Sequence, residues 1–324
     1  MTLNLPLARG SFDAMPALRS DIDPRTLAGA VVNIVDQQGN LALVSGGDSL
    51  FSIDEGAAGA VLRDALDVYL LGRTGDGAVH VVAVVEVDGG ADGEQVDGEW
   101  PEEWSDGVGG DGHVRWESLR TCGHELGDDE AALATASVAL WNWHRVARFC
   151  VRCGSAVEPA EAGWATRCTG CGNLDYPRQD PAVIMAVLDS RDRVLMAHNR
   201  MWPRGRWSVL AGFVEAGEAP ERTVQREIME ETGLRVGDVE YLGAQPWPFP
   251  RSLMLGYFAR LAEDGEPVPD GVELEEARFF SRSDLAAAIA SGEVTAPPPS
   301  TIARSLLDRW YGEGADEVMG DGSR

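Results

Sequence analysis

Two groups of residues in this chain have types and spacings that suit chemistry. The first is acidic: Glu227, Glu230 and Glu231 lie between Pro220 and Gly233. Proline suits the first turn of a helix and glycine the position just past its end, so the bracket predicts a helix of about three turns. At roughly 100° per residue, positions i, i+3 and i+4 share one face, and Val224 and Ile228 form the adjoining apolar stripe that packs the helix down. Three carboxylates converging there repel each other, and a bound divalent cation would remove that repulsion. Oxygen-only ligands suit Mg2+ or Mn2+. Arg226 and Glu218 are placed to set the geometry from behind the ligands. Taken alone, the three glutamates fit a solvated acidic face better.

The second group is Cys150-x2-Cys153 and, fourteen residues on, Cys168-x2-Cys171, each pair followed by a glycine, Gly154 and Gly172. Two such knuckles predict a closed four-thiolate zinc site, and a closed site leaves no position for water, which makes the ion structural. The rival is a pair of disulfides, disfavoured in a reducing compartment. Cys122 is left over and reads as an ordinary core or surface thiol.

A third segment stands out by stiffness. In Gln245-Pro246-Trp247-Pro248-Phe249-Pro250-Arg251-Ser252 three prolines alternate with two aromatics. This predicts an extended stretch, neither helix nor inner strand, holding two flat rings in place. Such a loop could sandwich a nucleobase or a nicotinamide, or it could be a packed surface turn.

The rest of the 324 residues must position these groups. Ala30 to Val35 and Leu41 to Val44 read as a hairpin around Gln37-Gln38-Gly39-Asn40, and Val68 to Gly72 and Ala78 to Val87 as further strands around Gly75-Asp76-Gly77. From 87 to 112 the sequence turns Gly- and acid-rich, which predicts a solvated loop, with Trp100, Trp104 and Trp116 in or near it. A helix is expected over Glu130 to Arg148. Ala182 to Leu188 and Val194 to Ala197 open a second domain. The expected division is an N-terminal domain at 1–140, a ribbon at 145–176, a second domain at 177–311 and a frayed tail at 312–324.

Composition removes some chemistries. All 27 basic residues are arginine, so a Walker-type phosphate loop and Schiff-base chemistry, which need lysine, cannot operate. A formal charge of −26 repels nucleic acid and anionic lipid at long range and favours a small ligand or a metal-bridged anion. No apolar run approaches the roughly 18 residues of a membrane span, and the first ten residues lack a secretory pattern, so the cytoplasm is the expected compartment.

From Gly212 to Leu234 the chain matches G-x5-E-x7-R-E-U-x-E-E-x-G-U, with U aliphatic, at every fixed position. This resembles the Nudix box. The resemblance implies an α/β fold, the Nudix α/β/α sandwich with a mixed sheet, preceded here by the four-cysteine zinc ribbon and an α+β N-terminal domain. It also implies hydrolysis of a nucleoside diphosphate linked to another moiety, with Arg226 in the catalytic group. Glu227, Glu230 and Glu231 would ligate two to three Mg2+ or Mn2+ ions, joined by the carbonyl of Ala211.

The 244–252 segment is similar to the Ser-Gln-Pro-Trp-Pro-Phe-Pro-x-Ser motif of the NADH pyrophosphatase branch, with Ala244 in place of its first serine. That likeness implies substrate contacts from Gln245, Pro246, Trp247, Pro248, Phe249, Pro250, Arg251 and Ser252, from Tyr176 after the ribbon, and from Ala303 in a C-terminal segment. It implies a further metal-binding glutamate at Glu273, with Glu276 in reserve. Where the branch often places a glutamate before tryptophan, this chain has Gly163 before Trp164. The implied activity is metal-dependent cleavage of NADH or NAD+ to AMP and nicotinamide mononucleotide, with removal of NAD caps from RNA as a second activity and a homodimer as the assembly. Alternatives are a broader nucleoside diphosphate hydrolase, acting on ADP-ribose or diadenosine compounds, and a non-catalytic NAD sensor.

Overall fold

In the computed structural model, which describes residues 3–44, 49–53, 55–87, 96–99 and 113–320, the chain divides into two units. One runs Arg9–Gln179 and includes the short segment Trp247–Arg251; the other comprises Met1–Ala8, Asp180–Pro246 and Ser252–Arg324.

The first unit begins with strands β1 (Val31–Asp36), β2 (Leu41–Val44) and β3 (Ser52–Ile53), followed by helix α1 (Glu55–Asp64). Strands β4 (Asp67–Arg73), β5 (Val79–Val85), β6 (Val96–Glu99) and β7 (His113–Glu117) complete a sheet of order β4-β5-β1-β2-β7-β6, with β3 beside β1. The expected β1–β2 hairpin forms, with Val35 opposite Leu41. Its turn is tied by Asp36, whose Oδ1 accepts the backbone N–H groups of Gln38 and Asn40. Val32, Ile34, Val61, Leu70 and Val81 lie in one fully enclosed cluster, the gain that alternating apolar strands convert into stability.

One expectation is corrected here. The acidic stretch is not loop throughout, because Val96–Glu99 pairs antiparallel with β7, Val96 opposite Trp116. The backbone groups along β7 need hydrogen-bonding partners whatever the composition of the segment that supplies them. Trp116 is buried; Trp100 and Trp104 lie outside the described residues. Helices α2 (Leu119–Cys122) and α3 (Asp128–His144) follow, α3 starting where Glu130 accepts the N–H of Gly127. The ribbon is an antiparallel trio, β8 (Val157–Ala160), β9 (Ala165–Cys168) and β10 (Leu174–Asp175), and belongs to this same unit.

The second unit is built on β11 (Asp180–Leu188), β12 (Val194–Asn199) and β13 (Leu210–Phe213), then α4 (Pro220–Thr232), β14 (Val236–Trp247), β15 (Ser252–Leu261) and β16 (Leu274–Phe280). It ends in α5 (Arg282–Ala290), α6 (Ile302–Tyr311) and α7 (Ala315–Met319). The sheet order is β14-β15-β11-β12-β16, with β13 also on β11. Strand β11 runs parallel to β15 and antiparallel to β12 and β13, so the sheet is mixed. Alternation along β11 makes the sandwich. Val183, Met185 and Val187 pack with Val224 and Ile228 of α4, while Ile184, Ala186 and Leu188 share a cluster with Leu285 of α5, Ile302, Leu306 and Leu307 of α6 and Met319 of α7. A strand covered on both faces reads as a continuous apolar run, as Ala182 to Leu188 does.

The tail is a second correction. Residues 315–319 form α7, docked by Arg304, which is only 3 % exposed. Its guanidinium donates to the carbonyl of Met319 at 3.2 Å and to the carboxylates of Asp308 at 2.6 Å and Asp316 at 3.3 Å. A buried guanidinium must fill its donors, and the C-terminal carbonyls supply acceptors. No helix among the described residues is long and apolar enough to cross a membrane.

Candidate active site

Helix α4 takes its orientation from its ends and its apolar stripe. Pro220 occupies the first turn, Gly233 closes the helix at φ 68°, and Val224 and Ile228 are fully buried. The adjoining side carries the carboxylates, and Arg226 organises Glu227 and Glu230. Its Nη1 donates to Glu227 Oε1 at 2.8 Å and to Glu230 Oε2 at 3.0 Å, Nε and Nη2 reach the two oxygens of Glu218 at 3.0 and 2.9 Å, and Nη2 also meets the carbonyl of Phe213 at 3.0 Å. Arg226 holds the Glu218 carboxyl down at about 2. A Cβ on Gly212 would fall 2.0 Å from the carboxyl carbon of Glu227, so only glycine lets Glu227 lie against β13, where Ala211 sits opposite Ile184.

Glu231 differs from its neighbours. It is 7 % exposed, and its Oε2 is buried without a hydrogen-bond partner. Burial first, then the charges of Glu227 and Glu273, push its carboxyl up to about 8. Burial also raises Glu227, against the opposing pull of Arg226. An enclosed carboxylate oxygen with no donor, flanked by further carboxylates, fits a divalent cation. The glutamates do not form a tight cage: among the described residues only the four ribbon cysteines gather their ligand atoms within 4.8 Å of one another.

Glu273 is carried beside this face by its loop. The N–H groups of Val268 and Asp270 donate to the last carbonyls of α4, on Thr232 and Glu231, at 2.9 and 3.1 Å. Asp270 Oδ1 in turn accepts from the backbone N–H groups of Val272, Glu273 and Leu274. Glu273 is one of the charges acting on Glu227 and Glu231. Glu276, the reserve choice, sits instead on β16 opposite His198. Sequence reasoning missed Asp270, though Asp270-Gly271 is a turn signal. It also missed Phe213, a residue 61 % exposed whose carbonyl accepts from Arg226.

The expected substrate residues separate. In the second unit Gln245 is fully buried, its Oε1 accepting the N–H of Leu7 at 3.1 Å and its Nε2 donating to the carbonyl of Ser300 at 3.0 Å. Ala303 packs in the core, Pro246 is half-buried near the end of β14, and Ser252 begins β15 opposite Asp180. In the first unit Trp247 and Phe249 meet edge to face, centroids 4.9 Å apart at 71°. The guanidinium of Arg120 lies 4.2 Å from the Phe249 ring centroid, and Asn142 Nδ2 donates to the carbonyl of Pro248 at 2.6 Å. The two rings therefore leave no slot for a third between them, and 248–251 is a turn rather than an extended stretch. Of its other residues Pro250 is exposed and Arg251 half-buried, while Tyr176 is 60 % exposed after β10.

The ribbon fits zinc. Cys150 Sγ lies 3.8 Å from Cys171 Sγ and Cys153 Sγ 3.4 Å from Cys168 Sγ. Zinc–sulfur bonds of about 2.3 Å in a tetrahedron place sulfurs about 3.8 Å apart, whereas a disulfide needs about 2.05 Å. Backbone N–H groups of Arg152, Gly170 and Cys171 point at the sulfurs, as thiolates require. Cys122 is a buried core thiol, pushed up to about 12 by its surroundings, burial above all. Gly163 stands at φ 99°, and a Cβ there would lie 2.4 Å from the Tyr69 ring.

Comparison with known proteins agrees with this layout. The NUDIX domain profile matches residues 178–297, and the NADH pyrophosphatase zinc ribbon domain profile matches residues 145–176. The NAD-capped RNA hydrolase NudC of Mycobacterium bovis (strain BCG / Pasteur 1173P2) is 44 % identical over 200 residues, covering 59 % of this chain and 64 % of that protein. The NAD-capped RNA hydrolase NUDT12 of Homo sapiens is 37 % identical over 198 residues, covering 57 % and 43 %. The chain thus spans less than two thirds of the length of these curated relatives. A solved Nudix hydrolase from Nitrosomonas europaea aligns with a TM-score of 0.39 at 25 % identity, covering 51 % of this chain and 93 % of that one.

Proposed function

We propose, from the matches to the NUDIX domain and to the NADH pyrophosphatase zinc ribbon, that this chain is a Nudix hydrolase that cleaves the pyrophosphate of NADH or NAD+ to AMP and nicotinamide mononucleotide, and removes NAD caps from RNA. The observation that carries the hydrolytic reading is Glu231: a buried carboxylate with an unpartnered oxygen, on the same helix as Glu227 and Glu230. The substrate is supported by the relatives, whose names specify NAD-capped RNA.

Glu227, Glu230, Glu231 and Glu273, with the carbonyl of Ala211, would hold two to three Mg2+ or Mn2+ ions. When bound, such ions neutralise the bridging phosphates and activate water for in-line attack at phosphorus. The chain's own residues do the rest. Arg226, anchored by Glu218, fixes Glu227 and Glu230, and a carboxylate of this face, a box glutamate or Glu273, accepts the proton of the attacking water. Tyr176 and the 245–252 segment recognise the substrate, with Gln245 and Ala303 acting through the backbone they hold in place. Structural zinc in the ribbon, a homodimer and a cytoplasmic location belong to the same proposal.

One observation favours broader specificity as the second reading. Trp247 and Phe249 are packed on each other and do not form a clamp, which weakens the argument for nicotinamide over other nucleoside diphosphates. Incubation with NADH and Mn2+, followed by chromatography, tests the proposal. AMP and reduced nicotinamide mononucleotide are expected, and free nicotinamide as the main product would overturn it. Parallel rates on ADP-ribose and diadenosine compounds separate the two readings, and binding of NADH without turnover would identify a sensor.

A further inference from the structure

The first unit contains a cavity of about 460 Å3 lined in part by the segment Phe249-Pro250. Its volume is in the range of small-ligand pockets. In a chain of net charge −26, not one aspartate or glutamate lines it, while Arg120 and Arg145 both do. Arg120 is fixed by its stacking on Phe249. Arg145 follows the last turn of α3, and its guanidinium makes no ion pair among the described residues.

A buried acceptor completes the lining. Asn142 is 5 % exposed; its Nδ2 is spent on the carbonyl of Pro248, and its Oδ1 has no hydrogen-bond partner. Gly39, at φ 94°, brings no side chain to the cavity wall, and a Cβ there would stand 3.6 Å from that oxygen. A buried carbonyl oxygen left unmatched costs free energy that a donor removes. The lining therefore asks for a ligand with an anionic group for the guanidinium side and a hydroxyl or amino donor for Asn142. A metal cation could meet the Asn142 oxygen but not the guanidinium side, where the arginines repel it. A phosphate group is the anion that arginine recognises best, through paired N–H donors.

We propose that this cavity binds a small organic phosphate carrying a hydroxyl group, a nucleoside monophosphate being one, with its phosphate at Arg145 and Arg120 and the hydroxyl donating to Asn142 Oδ1. The cavity is lined by residues of the first unit alone, two of them, Phe249 and Pro250, from the segment assigned above to substrate recognition, and its proposed ligand makes no use of the glutamates of α4.

Titration calorimetry on the full chain tests it, without added divalent cation, so that the acidic face of α4 repels phosphate and only the arginine cavity reports. AMP should bind at one site per chain. Arg145→Glu should weaken it at least about tenfold and Arg145→Lys by less than Arg145→Glu, since lysine keeps the charge and loses the fork. Residue 145 is exposed, so unchanged zinc content and melting temperature are expected in both variants. Adenosine binding as tightly as AMP, or Arg145→Glu binding AMP like the parent, would overturn the site. Inorganic phosphate matching AMP in affinity would overturn the hydroxyl contact to Asn142, whereas AMP binding at least about tenfold tighter than phosphate would support it.

Discussion

The backbone N–H of Asp270 donates to the carbonyl oxygen of Glu231 at 3.1 Å, and this contact joins the end of α4 to the loop that carries Glu273. The Asp270 carboxylate then gathers three successive N–H groups, those of Val272, Glu273 and Leu274. Asp270 thus positions Glu273 without needing to touch substrate. Asp270→Ala should lower kcat by about 10- to 100-fold and raise the Mn2+ concentration needed for half-maximal rate. Asp270→Asn keeps one acceptor oxygen and should lose less. Steady-state kinetics over a Mn2+ series read both effects. A loss identical in the two variants, with the Mn2+ requirement unchanged, would leave Asp270 as loop scaffolding only.

Glu231 should show opposite effects on stability and rate. Glu231→Gln removes a carboxylate that burial and neighbouring charges already disfavour, so without added divalent cation the variant should melt at or above the parent temperature. Its kcat with Mn2+ should fall by about two to four orders of magnitude, because metal catalysis of this kind contributes several kcal/mol to the transition state. Glu240→Gln, at an exposed position of β14, is the control and should change neither quantity.

The ribbon is expected to be a folding element. Structural zinc contributes on the order of 10 kcal/mol of apparent binding free energy to small modules. Cys168→Ser should therefore lose the ion and lower the first melting transition. Metal analysis and calorimetry check this together; a variant that keeps one zinc per chain and melts unchanged would remove the four-thiolate assignment.

What the sequence made legible was local. Pro220 and Gly233 bracket α4, the apolar run of β11 marks a strand covered on both faces, and the cysteine spacing anticipates the sulfur cluster, because each signal lies within a few residues of the structure it specifies. What escaped depends on distant partners. Gln245 is held by Leu7, 238 positions away, and by Ser300, so a residue that reads as a substrate contact is a buried pin. Gly312, Gly314 and Gly320 make the C terminus look frayed, yet Arg304 docks α7 through acceptors that no local pattern announces. In sequence Trp247 and Phe249 suit a clamp and a packed surface turn equally; their mutual packing, and Arg120 over Phe249, are non-local choices that composition cannot reveal.

Acid should weaken the first unit through His144. The ring is buried and stacked on Tyr69 at 4.4 Å, and its Nε2–H donates to the carbonyl of Gly163 at 2.7 Å. Burial holds its pKa below the ordinary value of 6.5, although the Gly163 bond opposes the shift. With the folded value depressed, the unfolded chain binds the proton more readily. The stability His144 contributes is therefore present above about pH 6.5 and is lost as pH falls from there through its folded value. Melting curves between pH 7.5 and 5 should show a steeper acid loss for the parent than for His144→Gln, which cannot be protonated. Parallel curves would remove His144 from the account.

Gly163 explains its own departure from the branch pattern. Glu161 and Ala162 already stand at φ 50°, and Gly163 continues the turn at φ 99°. A side chain there meets two obstacles: the left-handed backbone, and the Tyr69 side chain, whose Cδ1, Cβ and Cγ lie 2.4 to 2.8 Å from the would-be Cβ. Tyr69 cannot yield, since it is fully buried and stacked on His144. Restoring the branch residue with Gly163→Glu should therefore cost about 2–5 kcal/mol, the sum of backbone strain and overpacking. Gly163→Ala should cost nearly as much, because the first carbon already collides. Denaturant melts of both variants decide the matter. If Gly163→Glu were as stable as the parent and hydrolysed NADH faster, the glycine would be a lost substrate contact and not a packing requirement.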